Sequence, residues 1–475
     1  MKLREKFAHL SSPAKASVAY LFVNMFQKGL AFFTSPIYTR LLSPEQYGEV
    51  ATFFSLIELI GIVAMFCFQG GVFNNGMVDF PDKRDEYSYS MLVLSNVITS
   101  ITALVVLLGN QVFVSITGLK LYQIILMFLF FYLQPAFGFW TTRQRYEYKY
   151  KAVCLLTIIL SFLAPFVSIV FILIGNSEHA VFSRILGYEL VFFVCYAAFY
   201  YILGSKSKWK VNTSYWKPAI TFNITLIPHY LSTYVLSSSD RIMVARLASN
   251  GEAGIYSLGY SIAAIVLAFW VAVNNSLIPY TYENCKKNNT KAVADVTSIV
   301  LFGYGLLCVL VVLLAPEAIR VLAPSSYSEA IYVIPPIVGG VFFQALYNVF
   351  ANIVYYYKKP KFVMIGSVAS AILNIVLNFI FIPFIGYIAA GYTTLICYLL
   401  QAMIDYIAMK KVVGKNIYDK RIIILESISI FILSTTSICL YRYSVIRYLL
   451  ILLIIGFLFL KRNVILNITK SIRNK

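Results

Sequence analysis

A lysine in the middle of an apolar segment is the residue of this sequence most suited to binding a charged ligand. Lys28 lies within the run 17–39, which is long enough to cross a bilayer as a helix. Asn24 and Gln27 share its helical face, and lipid is a poor environment for such a face. An ammonium group flanked by amides is suited to bind an anion inside a protein cavity. The alternative is a structural ion pair with Glu58 of the next run, and Glu58 would also serve as a titratable coupling group.

A second polar set lies at the end of the apolar run 218–240. Tyr234 and Ser238 share one face of that predicted helix, and Asp240 and Arg241 follow at its end. The planar guanidinium of Arg241 has the geometry to hold a phosphate through two parallel hydrogen bonds. These residues predict a further part of an anion and sugar site, with Asp240 as a coupling group or as the ion-pair partner of Arg241.

Two more titratable residues fall inside apolar runs. Glu189 lies within the run 181–204, where it is predicted to be a coupling group or to pair with Arg184. His229 follows Pro228, and an imidazole changes charge near neutral pH, so His229 is a candidate protonation switch. The alternative for His229 is a neutral side chain that hydrogen-bonds across helices.

The composition of the chain indicates that these polar residues lie on membrane-spanning helices. The chain has 475 residues, of which 60% are hydrophobic and 12% charged, and its mean hydropathy is +0.77. This composition is typical of a polytopic membrane protein and not of a soluble one. The sequence therefore predicts an all-α membrane fold with about 14 transmembrane helices, over the runs 17–39, 48–72, 88–109, 121–142, 152–174, 181–204, 218–240, 254–280, 293–316, 329–357, 362–384, 388–409, 422–440 and 445–460.

The first six runs repeat in the next six at a constant shift of 206 residues. The turn that begins at Arg40 and contains Ser43 matches the turn that begins at Arg246 and contains Ser249. An even number of helices in each half makes the repeats parallel, with a pseudo-twofold axis along the membrane normal. We predict an N-terminal six-helix lobe over 1–205, a linker over 206–217, a second six-helix lobe over 218–411, and two extra helices with a basic tail over 412–475.

The distribution of basic residues predicts the orientation. Most of the 39 Lys and Arg residues lie in alternate short loops and at the two ends of the chain. The positive-inside rule places these segments, and hence both termini and the linker, in the cytoplasm. The net charge of +19 therefore indicates membrane orientation and not nucleic-acid binding.

Few residues are available for catalysis or cofactor binding. The sequence has 3 His and 7 scattered Cys, and it lacks a phosphate-binding glycine loop and the zinc and nucleophile motifs of common hydrolases. No loop is long enough to form a soluble catalytic domain. We expect a protein that is not an enzyme, with no cofactor and no metal site.

Two stretches carry a family resemblance. The turn RLLSPEQYG at 40–48 and the stretch DRIMVARLASNGEAGIYSLGY at 240–260, together with the two six-helix halves, resemble Wzx-type polysaccharide-unit flippases. These belong to the multidrug/oligosaccharidyl-lipid/polysaccharide exporter superfamily, and the resemblance covers the chain up to about residue 411.

The resemblance implies transport of an undecaprenyl-diphosphate-linked oligosaccharide across the bacterial inner membrane by alternating access, for O-antigen or capsule biosynthesis. It implies membrane lipid, a proton or sodium ion, and polysaccharide polymerase and chain-length proteins as partners. Lys28 stands where such a family would have a cavity charge, and Arg241 is a second candidate. The two extra helices resemble those that form a lipid-tail groove in the lipid II flippase.

Three other functions remain open on sequence grounds. A cation-coupled multidrug antiporter of the same superfamily would favour acidic cavity residues such as Glu58, Glu189 and Asp240, but Lys28 argues against it. A lipid II flippase shares the fold and usually carries more cavity arginines. A membrane polysaccharide polymerase or ligase would need a large external catalytic loop.

Overall fold

The structure is a computed structural model that describes residues 12–69, 71–147 and 149–460. Some side chains of the first helix, among them Asn24 and Lys28, lie outside the described residues. The described chain forms helices joined by short turns, and it divides into two compact units, Met1–Tyr234 and Val235–Lys475. The predicted all-α fold is thereby observed, while the predicted domain limits with a linker at 206–217 stay a prediction.

The first unit is built from ten helices of the described residues, the last of which continues into the second unit. They are α1 Ser12–Leu41, α2 Pro44–Ala64, α3 Gly71–Asp79, α4 Arg84–Leu108, α5 Asn110–Thr117, α6 Leu121–Tyr146, α7 Tyr150–Ile174, α8 Ala180–Lys206, α9 Trp216–Ile224 and α10 Ile227–Leu247.

The second unit contains the remaining helices of the described chain. They are α11 Asn250–Lys286, α12 Thr290–Leu313, α13 Ala315–Leu322, α14 Ile334–Tyr356, α15 Pro360–Ile385, α16 Tyr387–Val413, α17 Lys420–Leu440 and α18 Ser444–Leu460. Helix α14 lies at the centre of this unit, since 83% of its apolar 18-residue stretch is buried. A Cβ at Gly339 would collide with Ser434 Oγ, so glycine lets α14 and α17 pack closely.

Eleven helices of the described residues are long and apolar enough to cross a membrane: α2, α4, α6, α7, α8, α11, α12, α14, α15, α16 and α17. The protein is therefore a multi-pass membrane protein. Helices α1, α10 and α18 cover the other three predicted runs, and the count of fourteen spans stays a prediction.

The turns of the repeated motif begin helices in the same way. Ser43 caps α2. Its Oγ accepts a hydrogen bond from the Gln46 backbone N–H, and the Ser43 backbone N–H donates to Gln46 Oε1. Ser249 caps α11 by accepting from the Glu252 N–H at 3.1 Å. The serine shared by the two turns is thus a helix cap in each half.

Two of the predicted continuous helices are broken. The run 48–72 ends as a helix at Ala64, and Phe66 and Cys67 adopt left-handed φ angles of 57° and 48° before α3 begins. The run 218–240 is divided into α9 and α10 at residues 225–226. The prediction of one helix over each run was wrong, because the left-handed angles fall on Phe66 and Cys67, residue types that rarely adopt them, and residues 225–226 contain neither glycine nor proline.

Candidate functional site

The break after α2 exposes backbone carbonyls, and polar side chains of neighbouring helices satisfy them. Thr99 Oγ1 donates to the Ala64 carbonyl at 3.0 Å, and Ser95 Oγ donates to the Met65 carbonyl at 3.3 Å. Asn223 Nδ2 of α9 donates to the Phe66 carbonyl at 2.7 Å. A helix end at membrane depth needs such donors, because lipid offers none. This explains several polar residues within apolar helices.

The same break lines a cavity of about 300 Å³ in the first unit. Its polar lining comes from Glu58 on α2, Gln69 in the turn, Gln134 on α6 and Tyr230 on α10. Gln69 Nε2 donates to Gln134 Oε1 at 2.8 Å, which fixes both amides at the cavity wall. A Cβ at Gly138 would overlap the Gln69 side chain, so α6 needs glycine there. The cavity thus presents a carboxylate, two amides and a phenol.

Two of the three predicted substrate residues of α1 have side chains that the structure does not describe. The side chains of Asn24 and Lys28 lie outside the described residues, and Gln27 is exposed. Glu58 is also exposed at the cavity. The prediction that Lys28 binds an anion or pairs with Glu58 remains a prediction.

Glu189 is deeply buried and has no hydrogen-bond partner within the described chain. Its side chain is 1% exposed, and neither carboxylate oxygen has a partner there. Arg184, the predicted alternative partner, instead donates to Ser168 Oγ at 3.1 Å, with its guanidinium 3.9 Å from the centre of the Tyr38 ring. No ion pair between Arg184 and Glu189 is found among the described residues. Glu189 therefore keeps only its predicted role as a coupling group.

The start of α10 holds two predicted residues of the first unit. Tyr234 is buried, and its hydroxyl donates to the Ser55 carbonyl of α2. His229 is half-buried beside Tyr230, and its carbonyl accepts from Thr233 at 2.9 Å. Tyr234 thus has a structural hydrogen bond, and its role in substrate binding stays a prediction.

Asp240 is the centre of a buried polar cluster in the second unit. The residue is 2% exposed. Tyr256 donates to Oδ2 at 2.7 Å, Thr394 donates to Oδ2 at 2.6 Å, and Asn378 donates to Oδ1 at 2.7 Å. Asn374 joins the cluster through Nδ2, which donates to Thr394 Oγ1 at 3.2 Å. Three donors thus fix the Asp240 carboxyl group away from bulk water.

Four helices assemble this cluster. Asn374 and Asn378 lie one turn apart on α15 and face α16, which supplies Thr394. Tyr256 comes from the first turns of α11, directly after the Ser249 cap. The predicted role of Asn374 and Asn378 as interhelical hydrogen-bonding residues is confirmed by these contacts. The predicted pairing of Asp240 with Arg241 is wrong for the described structure, since the carboxylate accepts from three neutral groups.

Arg241 and Ser238 lie beside the cluster. The Arg241 guanidinium stands 4.4 Å from the centre of the Tyr260 ring, in a cation–π contact. Ser238 is half-buried, with its Oγ 3.4 Å from Ser237 Oγ. Arg241 thus keeps its charge close to an aromatic face, and its nitrogens remain geometrically suited to an anion.

An apolar groove of about 230 Å³ lies between α12, α14 and α17. Phe302, Gly305, Phe342 and Leu425 line it, and Glu426 is its one charged lining residue. The groove therefore offers an acyl or prenyl chain a surface of matching polarity.

Sequence reasoning missed the donors to Asp240 and one further acid. Tyr256 and Thr394 are far from Asp240 in sequence, so no local pattern pairs them. Asp405, in the middle of α16, is 0% exposed, and its oxygens have no hydrogen-bond partner in the described chain. An acidic residue inside an apolar run was the available signal for Asp405. Groups of three or more His, Cys, Asp or Glu that could hold a metal are absent from the described residues.

Comparison with known proteins identifies the family to which this chain is similar. Residues 14–285 match the family model described as polysaccharide biosynthesis protein, and residues 226–380 match the MatE model. The chain is 23% identical over 374 residues to the Lsg locus putative protein 1 of Haemophilus influenzae, covering 76% of this chain and 89% of that protein. It is 20% identical over 405 residues to the probable low-salt glycan biosynthesis flippase Agl15 of Haloferax volcanii, covering 82% of each.

Solved structures share the fold. Lipid II flippase MurJ in an inward closed conformation aligns with a TM-score of 0.68 and 14% identity, over 94% of this chain and 99% of that one. An inward-facing multidrug resistance MATE family transporter of the MOP superfamily aligns with a TM-score of 0.61 and 12% identity, over 82% of this chain and 95% of that one. These likenesses confirm the predicted fold class, an all-helical membrane protein of two lobes.

Proposed function

Since this chain belongs to the polysaccharide biosynthesis protein family, we propose that it is a flippase for an undecaprenyl-diphosphate-linked oligosaccharide. It moves this repeat unit from the cytoplasmic to the outer leaflet of the bacterial inner membrane by alternating access, for O-antigen or capsule synthesis. The observation that carries the proposal is the family match over residues 14–285, which covers the first unit and its polar cavity. The name of Agl15, a probable glycan biosynthesis flippase, supports a transporter and not an enzyme.

The headgroup contacts follow from the polar residues of the first unit. Lys28 neutralises part of the diphosphate, with Asn24 and Gln27 on the same helical face. The amides of Gln69 and Gln134 and the phenol of Tyr230 hydrogen-bond to sugar hydroxyls at the cavity wall. Few cations and several neutral donors bind such a headgroup without holding it permanently, as a transporter requires.

The second unit provides a further anion contact and binds the coupling ion. Arg241, held over Tyr260, binds a phosphate oxygen, with Ser238 beside it. The Asp240 carboxylate binds the coupling cation, a proton or a sodium ion, in exchange for one of its present donors. Glu58, Glu189 and His229 are the coupling groups of the first unit.

The groove between α12, α14 and α17 takes part of the prenyl tail. Its lining is apolar around Phe302, Phe342 and Leu425. Burial of a chain of isoprene units there contributes about 0.8 kcal/mol for each buried CH₂ group.

The test is the location of lipid-linked repeat units after deletion of the gene in its host. The expected result is accumulation of the diphosphate-linked oligosaccharide in the inner leaflet and loss of surface polysaccharide, both restored by the full chain. Unchanged surface polysaccharide with increased sensitivity to cationic compounds would instead establish a multidrug antiporter.

The lipid II flippase function is the second candidate, because the MurJ fold covers nearly all of this chain. Complementation separates the two: a lipid II flippase rescues loss of cell-wall synthesis, whereas a repeat-unit flippase rescues only surface polysaccharide. We place the protein in the inner membrane with both termini in the cytoplasm. Polymerase and chain-length proteins use its product at the outer leaflet.

A further inference from the structure

Asp405 is a buried acid to which the proposed transport cycle has so far assigned no role. It lies on α16, about one and a half turns before Lys410 and Lys411, which are in the last turn of the helix. It is 0% exposed, and both Oδ atoms are without a hydrogen-bond partner in the described part of the chain. An ionised carboxylate in such a position is strongly unfavourable.

The surroundings of Asp405 are rich in acceptors and poor in donors. Gln401, one turn earlier and 1% exposed, has an unpartnered Oε1. Its Nε2 donates to Ser367 Oγ at 3.0 Å, and Ser367 in turn donates to the Val363 carbonyl at 3.1 Å. Ser370 Oγ, also fully buried, has no partner among the described residues. Gln401 and Ser367 therefore direct their donors away from the carboxyl group, and within the described residues no donor bonds to it.

Charged partners do not replace the missing donors. Tyr347 and Tyr355 of α14 are the titratable groups that act on Asp405 from the helix packed against α16. On α15, Gly366 faces it, and a Cβ there would lie 3.3 Å from Asp405 Oδ1. The described residues form no salt bridge with Asp405. Asp240, with three donors, is in the opposite environment within the same unit.

A buried polar seam joins the two acids. It consists of one face of α15 and the facing residues of α16, all of them at most 7% exposed: Ser367, Ser370, Asn374 and Asn378, with Thr394, Cys397 and Gln401. Both sets follow spacings of three and four residues, so each occupies a single helical face. The seam extends about 17 Å from Asn378 to Ser367, at 1.5 Å per helical residue.

We propose that Asp405 is a proton-binding site of the second unit. In this conformation it is the neutral acid, with the proton on one Oδ. When α15 and α16 separate at their Lys-rich end, the O–H bond breaks, the proton passes to water, and a carboxylate remains until a proton returns. Asp240 differs from Asp405 in its surroundings, since three donors reach its oxygens. The inference rests on the proposed function only in treating the chain as ion-coupled.

Infrared spectroscopy of the purified full chain in lipid nanodiscs tests the site without any substrate. The wild type is expected to show the carbonyl band of a neutral carboxylic acid at neutral pH, shifted in D₂O. Glu189, also buried without a hydrogen-bond partner in the described chain, contributes to the same spectral region, so the variants are compared as difference spectra. Asp405→Asn removes the Asp405 component of the band, Asp405→Glu moves its frequency, and Asp82→Asn, an exposed control, leaves it unchanged. Superimposable spectra of the wild type and Asp405→Asn would overturn the proposal.

Two further readings keep the result decisive. Sodium chloride added at constant pH should leave the band unchanged. Loss of the band on sodium addition would overturn the proposal, because it would show that the site binds a metal cation and not a proton. If Asp405→Asn does not fold, the moved band of Asp405→Glu carries the test. In proteoliposomes the folded variant should lose the response of flipping to a pH gradient. A surviving acid band together with absent flipping of the repeat unit would refute the proposed substrate and leave the proton site standing.

Discussion

The Nδ2 amide of Asn378 donates to Oδ1 of Asp240 at 2.7 Å, between residues 138 positions apart in sequence. This bond joins the end of α10 to the middle of α15, and Thr394 and Tyr256 complete the donor set. A buried carboxyl group with these neighbours is fixed in place. In the proposed transport cycle, a small cation binds this group by displacing one of the donors.

Replacement of Asp240 tests this role. Asp240→Asn keeps the size of the side chain and removes its charge, so the helices should still assemble while the response of flipping to an ion gradient is lost. We expect at least a tenfold fall in gradient-driven flipping, the loss that about 1.4 kcal/mol of driving interaction would produce. The exposed Asp295→Asn is the matched control. An Asp240→Asn protein with a normal gradient response would remove Asp240 from coupling.

Substitution of Lys28 tests the anion site of the first helix. Lys28→Ala should leave only a small, measurable rate of flipping because the diphosphate loses its cation, whereas Lys28→Arg should retain more of it. Flipping is measured as protection of a labelled lipid-linked repeat unit in proteoliposomes. The combination of Lys28→Ala with Glu58→Gln forms a double-mutant cycle. Additive losses would show that the two residues do not act as a pair, and an alanine variant with full activity would contradict the anion site.

Removal of Asn223 should destabilise the first unit. Asn223→Ala leaves the Phe66 carbonyl without its donor at the broken end of α2. We expect a loss of about 1–3 kcal/mol in the free energy of unfolding. Thermal unfolding in detergent is the measurement, and Thr221→Ala at an exposed position of the same helix is the control. An unchanged transition would show that another group satisfies that carbonyl.

The Glu317–Arg447 pair predicts an acid-sensitive contribution to stability. Arg447 Nη1 lies 2.5 Å from Oε2 and Nη2 lies 2.6 Å from Oε1 of Glu317, and Tyr448 donates to Oε1 at 2.7 Å. Burial raises the pKa of Glu317, but the hydrogen bonds from Arg447 and Tyr448 outweigh it and hold the pKa below the ordinary value of 4.5.

A carboxyl group with a lowered folded-state pKa stabilises the fold above its unfolded value. The contribution is complete above about pH 4.5 and is lost as the pH falls through the lower folded value. Glu317→Gln should therefore unfold at a lower temperature at pH 7, by about 1–3 kcal/mol in free energy. The difference from the wild type should shrink in acid. A constant difference at all pH values would show that the ion pair does not supply it.

Cysteine labelling tests the predicted orientation. On a cysteine-free background, Glu178→Cys between α7 and α8 should react with a membrane-impermeant maleimide added outside the cell. Lys287→Cys between α11 and α12 should react only after permeabilisation. Both positions are exposed, so access decides the outcome. Reaction of Lys287→Cys in intact cells would reverse the predicted topology.

The apolar runs predicted most of the helices because helix length in a membrane follows the bilayer thickness. The breaks at Phe66 and at residues 225–226 escaped prediction, since their backbone angles depend on donors such as Asn223 from another helix. Ser43 and Ser249 were visible as repeated letters, and only the hydrogen bonds show that both are caps.

The candidate site was predictable as a set of polar residues and not as a set of contacts. Asp240 and Asn378 each stand out within apolar sequence, but their separation along the chain hides that they bond. The buried environment of Asp405 depends on which donors α15 directs elsewhere, and no sequence pattern records that.

The ion pair of Arg447 with Glu317 also sets a time at which the second unit is completed. The two residues are 130 positions apart, so Glu317 is synthesised well before α18. During that interval the carboxylate must remain in water, and it receives its cation only near the end of synthesis. A chain released early, before Arg447, would leave the membrane machinery with a second unit that lacks its final clamp and is a natural target for quality-control proteases.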